Sequence, residues 1–325
     1  MKSAALLITP PFTQLNTPYP ATAYLKGFLN TKSIKSFQCD LGIEVILTIF
    51  SKNGLIKLFN KIEQSTYEKS ENAQRIIALR QDYINTIDAV ILFLQGKNPT
   101  LSLAICQEDF LPQASRFLQT EELEWAFGTM GNMDKAKHLA TLYLEDLSDI
   151  IIECVDEYFG FSRYAEKLGR SANSFDELYH HLQQKPTYFD EILIEILEEK
   201  IQLTQPQLVA ISVPFPGNLY SAFRIAQCIK KRHSSIKIAM GGGFPNTELR
   251  SLSDVRVFEF FDFITLDDGE LPFELLINNI KSNTFEEFKR TFLLENNCVV
   301  YKNNTTKSDY KQIEVGTPDY SDLWR

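Results

Sequence analysis

Three consecutive glycines, Gly241, Gly242 and Gly243, follow the apolar run at residues 236–240 and precede Phe244-Pro245-Asn246-Thr247. Glycine lacks a Cβ, so backbone there can take positive φ and lie against a flat or bulky ligand. In an open parallel sheet, ligands sit outside the carboxyl ends of the strands, where these glycines fall. The chemistry they suit is binding. A tight strand-to-helix turn without a ligand uses the same residues.

Three other loops share this texture. Thr9, Pro10 and Pro11 open a polar stretch that runs to residue 18. Ser212 ends an apolar run and leads into Pro214-Phe215-Pro216-Gly217-Asn218. Asp267, Asp268, Gly269 and Glu270 close the last one. Each is weak alone, since loops of α/β folds are rich in such residues. Four together at one sheet edge favour a pocket more than any of them singly.

Other chemistries are harder to draw. The dinucleotide fingerprint needs Gly-x-Gly-x-x-Gly after the first strand, and no phosphate-binding Gly-Lys-Ser/Thr loop occurs. A transferase using an activated sugar or phosphate would rest on the glycines and Asp267-Asp268 alone. No nucleophile sits in a recognisable elbow, so no catalytic residue is assigned. Cys39, Cys106, Cys154, Cys228 and Cys298 are too dispersed for zinc or an iron–sulfur cluster. His180 and His181 are neighbours on a polar helical stretch and point apart. Asp267, Asp268 and Glu270 read as a solvated acidic turn rather than a cation site. No protein-only metal site is expected.

The elements that must position these loops follow from patterning. The chain has 325 residues, 44% hydrophobic and 23% charged, an ordinary globular composition with length for about two domains. A net charge of −9 argues against nucleic acid or an anionic membrane as main partner. No apolar run reaches membrane-span length, and the amino-terminal run is too short for a secretory signal, so a cytoplasmic address is expected. Apolar runs at residues 4–9, 34–41, 207–213, 236–240 and 261–266 predict five parallel strands. The third is continuously apolar, as a strand covered on both faces demands. Helical spacing at 19–29, 219–231 and 273–281 predicts the crossovers. Between residues 46 and 203 the stripes are helical throughout. Residues 292–294 and 298–301 read as a small hairpin, and the Gly316–Leu323 stretch as an extended linker. The expected domains are an α/β unit (1–45 with 204–282), a helical insertion (46–203), and a hairpin and linker (283–325).

The order of these features resembles the cobalamin-binding domain of cobalamin-dependent radical S-adenosylmethionine enzymes. The likeness rests on the strand ending in Pro10-Pro11, Asp40-Leu41-Gly42 after the second, Ser212 ending the third, the three glycines after the fourth and Asp268-Gly269-Glu270 after the fifth. It covers about residues 1–42 and 207–281, with the Pro-Asp-Tyr-Ser-Asp-Leu tail. What it implies is a flavodoxin-like, Rossmann-like five-stranded sheet holding a cobalamin. Thr9, Pro10 and Pro11 would border the corrin, and Ser212, Pro214 and Asn218 would line the third loop. Gly241, Gly242 and Gly243 would let the cofactor tail pass, Thr247 would cap the next helix or donate a hydrogen bond, and Asp268, Gly269 and Glu270 would close the last loop.

The chain departs from the family in two ways. The loop after the first strand has no histidine to ligate cobalt. The three-cysteine run that holds a 4Fe-4S cluster and cleaves S-adenosylmethionine is absent. The resemblance therefore implies the amino-terminal part of such an enzyme, whose radical domain lies beyond residue 325. The rival expectation is a cofactor-less α/β module that docks a substrate or partner protein through its helical insertion.

Overall fold

A computed structural model describes residues 3–13, 15, 17–64, 68–107, 109–118, 131–161 and 175–323. The chain is α/β, with one mostly parallel seven-stranded sheet and 12 α-helices among the described residues. It divides into two compact units, Met1–Glu44 with Phe161–Arg325, and Val45–Gly160.

The first unit holds the whole sheet. Its strands are β1 (Ser3–Thr9), β2 (Ser36–Asp40), β3 (Pro206–Ser212), β4 (Lys237–Gly241), β5 (Phe263–Thr265), β6 (Thr291–Glu295) and β7 (Cys298–Lys302). Their order is β2-β1-β3-β4-β5-β6-β7, and the first five run parallel. The expected count of five is corrected here. The hairpin β6–β7 joins the sheet by antiparallel pairing of β6 with β5, in the register Ile264 to Phe292. Its tip is a two-residue turn with Asn296 and Asn297 at φ 50° and 60°. That backbone twist matches the twist of the strands it connects.

Alternation along β1 decides what covers each face. Ala5 and Leu7 enter a core with Phe28 and Leu29 of α1 (Ala21–Thr31) and Phe273, Leu276 and Ile277 of α12 (Glu270–Ser282). Leu6 and Ile8, at most 1% exposed, face the other way. On the β1 side and beside one another lie α9 (Tyr188–Thr204) and α10 (Leu219–Arg232). A capping box between Thr187 and Asp190 starts α9, and Gln205 at φ 46° before Pro206 stops it. Asp190 also pairs with Arg224 of α10, Nε to Oδ2 at 3.0 Å, with both side chains at most 2% exposed. Tyr220 donates to the same carboxylate at 2.7 Å. With α8 (Asp176–Gln183), α9 lies in this first unit, although the sequence pattern assigned both to the insertion.

The second unit is helical: α3 (Lys52–Glu63), α4 (Glu71–Ala78), α5 (Arg80–Leu94), α6 (Ser102–Ile105) and α7 (Gly131–Cys154), with α2 (Leu41–Ile49) beginning at the end of β2 and carrying the boundary. Asp146 of α7, fully buried, pins the neighbouring loop by accepting from the Ala114 and Arg116 amides at 2.9 and 3.0 Å and from the Tyr83 hydroxyl at 3.2 Å. Burial pushes its carboxyl up, and these three donors oppose that.

Candidate functional site at the carboxyl ends of the strands

Parallel pairing lines up the strand ends: Thr9 stands opposite Asp40, and Ser212 opposite Gly241. The loops of β1 and β3 meet through Asn218, whose Nδ2 donates to the Pro10 carbonyl at 2.8 Å. Asn218 closes the short turn Pro216–Asn218 that leads into α10. Asn218 and Thr9 are fully buried, yet Asn218 Oδ1 and Thr9 Oγ1 have no hydrogen-bond partner among the described residues. Orphaned buried polar atoms are costly and call for a partner. Pro10, Pro11, Ser212 and Pro214 are buried beside them in the chain.

Two aromatic rings cross between the same loops. Tyr19 and Phe215 pack edge to face, with centroids 6.0 Å apart, and Phe215 is 55% exposed. Asp40 ends β2 and is 4% exposed, accepting from the Ile43 amide at 3.1 Å and the Tyr19 amide at 3.4 Å. Burial outweighs these bonds and raises its carboxyl to about 6. Asp40, Tyr19 and Phe215 were not picked out from sequence as site residues. Asp40 carried a signal, a carboxylate closing a predicted strand in Asp40-Leu41-Gly42, while its register with Thr9 comes from the fold. The two rings carried none.

The loops of β4 and β5 are built differently. Gly242 has φ 105°, and a Cβ there would lie 2.7 Å from the Val213 carbonyl oxygen and 2.9 Å from its nitrogen. A Cβ on Gly243 would lie 2.7 Å from the Pro214 oxygen. Backbone bonds lace the same segment: Val213 N–H donates to Gly241 O at 2.8 Å, and Phe244 N–H to Val213 O at 3.0 Å. Gly242 and Gly243 are small because the β3 loop presses on them. Only Gly241 keeps room, since its Cβ would meet the rotatable Thr265 hydroxyl at 3.1 Å.

Thr247 is the fifth residue of α11 (Gly243–Glu248), and its hydroxyl donates back to Gly243 and Phe244 carbonyls at 3.2 and 3.3 Å. It therefore does not stand at the helix start. Asp268 is exposed and its carbonyl accepts from Arg290 at 2.9 Å. Gly269 and Glu270, half-buried, begin α12. Asp267 takes an ion pair from Arg250, and its amide donates to Asn246 at 2.6 Å, so these loops are tied to each other. The structure thus joins Thr9, Pro10, Ser212, Asn218 and Gly241 at one edge, and leaves Thr247 and Asp268 occupied elsewhere.

The helical unit has a separate open cleft of about 500 Å³ with a mixed lining, in which Leu79, Phe110 and Leu111 stand beside Arg75, Asp82 and Asp109. Among the described residues, no group of three His, Cys, Asp or Glu side chains is placed to hold a metal ion, and no helix is long and apolar enough to cross a membrane.

No protein-family model matches the chain, and neither curated proteins nor solved structures yielded a match. What defines the class is the architecture alone: an α/β protein with a mostly parallel sheet.

Proposed function

We propose that the sheet-bearing unit is a cofactor-binding module, with its ligand at the carboxyl ends of β1, β3 and β4, and that this ligand is a cobalamin. The observation that carries the reading is the pair of buried, unpartnered polar atoms, Thr9 Oγ1 and Asn218 Oδ1. Thr9 ends β1 and Asn218 lies in the loop after β3, the two strands between which the order 2-1-3-4-5 reverses direction. That order is the flavodoxin-like one, and such sheets bind ligands at this junction. The flavodoxin-like assignment, with a helical insertion between β2 and β3, belongs to the same proposal.

A corrinoid's peripheral amides would offer donors to Asn218 Oδ1 and Thr9 Oγ1 once the loops that bury both atoms move apart, and Tyr19 and Phe215 offer ring surface to a flat macrocycle. Gly241 would give close backbone approach. Gly242 and Gly243 do not fit the role of tail passage, because their open sides face Val213 and Pro214. A bound cobalamin would supply a methyl-carrying cobalt centre. This chain's residues would bind and orient it, without an imidazole from the β1 loop. S-Adenosylmethionine and the 4Fe-4S cluster would belong to a carboxyl-terminal radical domain, and the address would be cytoplasmic.

The test is gel filtration of the purified chain with hydroxocobalamin. Co-elution of about one equivalent with a perturbed visible spectrum supports the proposal. Free passage of the cofactor at high micromolar concentration overturns it.

A second reading, a cofactor-less docking module, is favoured by the glycine packing just described. On that reading the helical unit and its cleft would take the substrate or partner.

A further inference from the structure

Lysine on a helix normally reaches water, yet Lys26 of α1 is 5% exposed. Its ammonium lies 2.5 Å from Asp322 Oδ2 and 3.6 Å from Asp319 Oδ2, and donates to Ser321 Oγ at 3.1 Å. Asn30, one turn further on, donates to Asp319 Oδ2 at 2.8 Å. The returning segment is held by backbone as well. The Asp319 amide donates to the Ala23 carbonyl at 3.0 Å, and the Gln38 amide of β2 donates to Asp322 Oδ2 at 3.2 Å. The Gln38 side-chain amide donates to the Asp319 carbonyl.

Shape agrees with this bonding. A Cβ on Gly27 would collide with the Thr317 carbonyl, so α1 is notched where the segment crosses it. Gly316 turns the chain onto the notch at φ 77°. The Ser321 amide, with the Ser321 hydroxyl, Asn30 and Lys26, holds the Asp319 carboxyl down at about 2. The other side of the groove is β2, the end strand of the sheet. Edge strands need covering, and here charged side chains supply the cover. The side-chain bonds to the segment go to Asp319, Ser321 and Asp322.

We infer that α1 and the open edge of β2 form a recognition groove for an extended Pro-Asp-x-Ser-Asp segment, with residues 316–322 as its occupant in cis. The pattern is read by Lys26, Asn30 and Gln38, and Gly27 admits the backbone. The groove rests on none of the ligand chemistry proposed for the far ends of the strands.

The experiment uses the full chain carrying a protease site inserted after Ile313, which is 90% exposed. After cleavage, the released segment is expected to co-elute with the body. A labelled synthetic peptide of residues 315–323 should displace it. The Asp322→Ala peptide should compete about 100-fold more weakly, the scale set by removing one partner of a buried charge pair. In a Lys26→Met body the gap between the two peptides should narrow to what the Gln38 amide alone gives Asp322. The peptide arm needs no change in the folded body, so misfolding of that variant cannot mimic the result. A segment that washes off, or peptides that compete equally on the parent body, overturns the inference.

Discussion

At the junction of β1 and β3, Asn218 uses its amide nitrogen on the Pro10 carbonyl and leaves its oxygen, with the Thr9 hydroxyl, buried and unpartnered. At the neighbouring β4 and β5 loops the backbone is closed on itself. Gly242 and Gly243 press against Val213 and Pro214, Thr247 bonds back into its own helix, and Asn246 and Arg250 take up Asp267. Both regions are rich in Gly, Pro, Asn and Thr. Composition marked them equally, but among the described residues only the first leaves buried polar atoms without partners.

The largest effect should come from Gly242→Ala. Positive φ strain and the clash with Val213 together cost about 3–5 kcal/mol, read as a lowered urea midpoint. A loss under about 1 kcal/mol would mean the β4 loop is looser than this packing implies.

Next is Asp40→Asn. The folded carboxyl titrates near 6, above the ordinary 3.8, because burial disfavours its charge. The folded state therefore binds the proton more tightly than the unfolded chain, and stability falls as pH rises from about 4 to about 6. The expected span is up to about 3 kcal/mol. The variant should lack this slope, so urea denaturation across that window should show it gaining on the parent. Parallel curves would remove Asp40 from the junction's electrostatics.

Gly241→Ala should have the smallest effect on stability, under about 1 kcal/mol, because only a rotatable hydroxyl stands in the way. If Gly241 borders the ligand, hydroxocobalamin affinity should still fall about tenfold or more, which is ~1.4 kcal/mol. A variant that binds like the parent would move the ligand away from β4.

Much of the framework was legible in the sequence. Continuous apolar runs marked β1, β3, β4 and β5, because strands covered on both faces have no polar side to show. Stripes such as Phe273, Leu276 and Ile277 marked the helix that covers them. Pairing across long separations was not legible. Phe292 and Leu293 signalled a hairpin, but nothing local said that Phe292 would register with Ile264 and lengthen the sheet. Lys26 carried no signal in the sequence, and only the fold brings Asp319 and Asp322 to it. Arg224 and Asp190 were silent for the same reason.

At the site, the glycines announced themselves and then divided. Gly242 and Gly243 answer to the backbone of the β3 loop, a reason that no single-strand motif can carry. Asn218 was found by position, yet its meaning came from which of its two polar groups is engaged.

The most direct test of the central claim is a nitrogen-15 correlation spectrum of the chain, titrated with hydroxocobalamin. The account expects the Asn218 side-chain amide and the Gly241 backbone amide to shift in step with binding, while Gly242 and Gly243 move little. Shifts confined to residues 242–247 with Asn218 unmoved, or a spectrum unchanged at saturating cofactor, would contradict it.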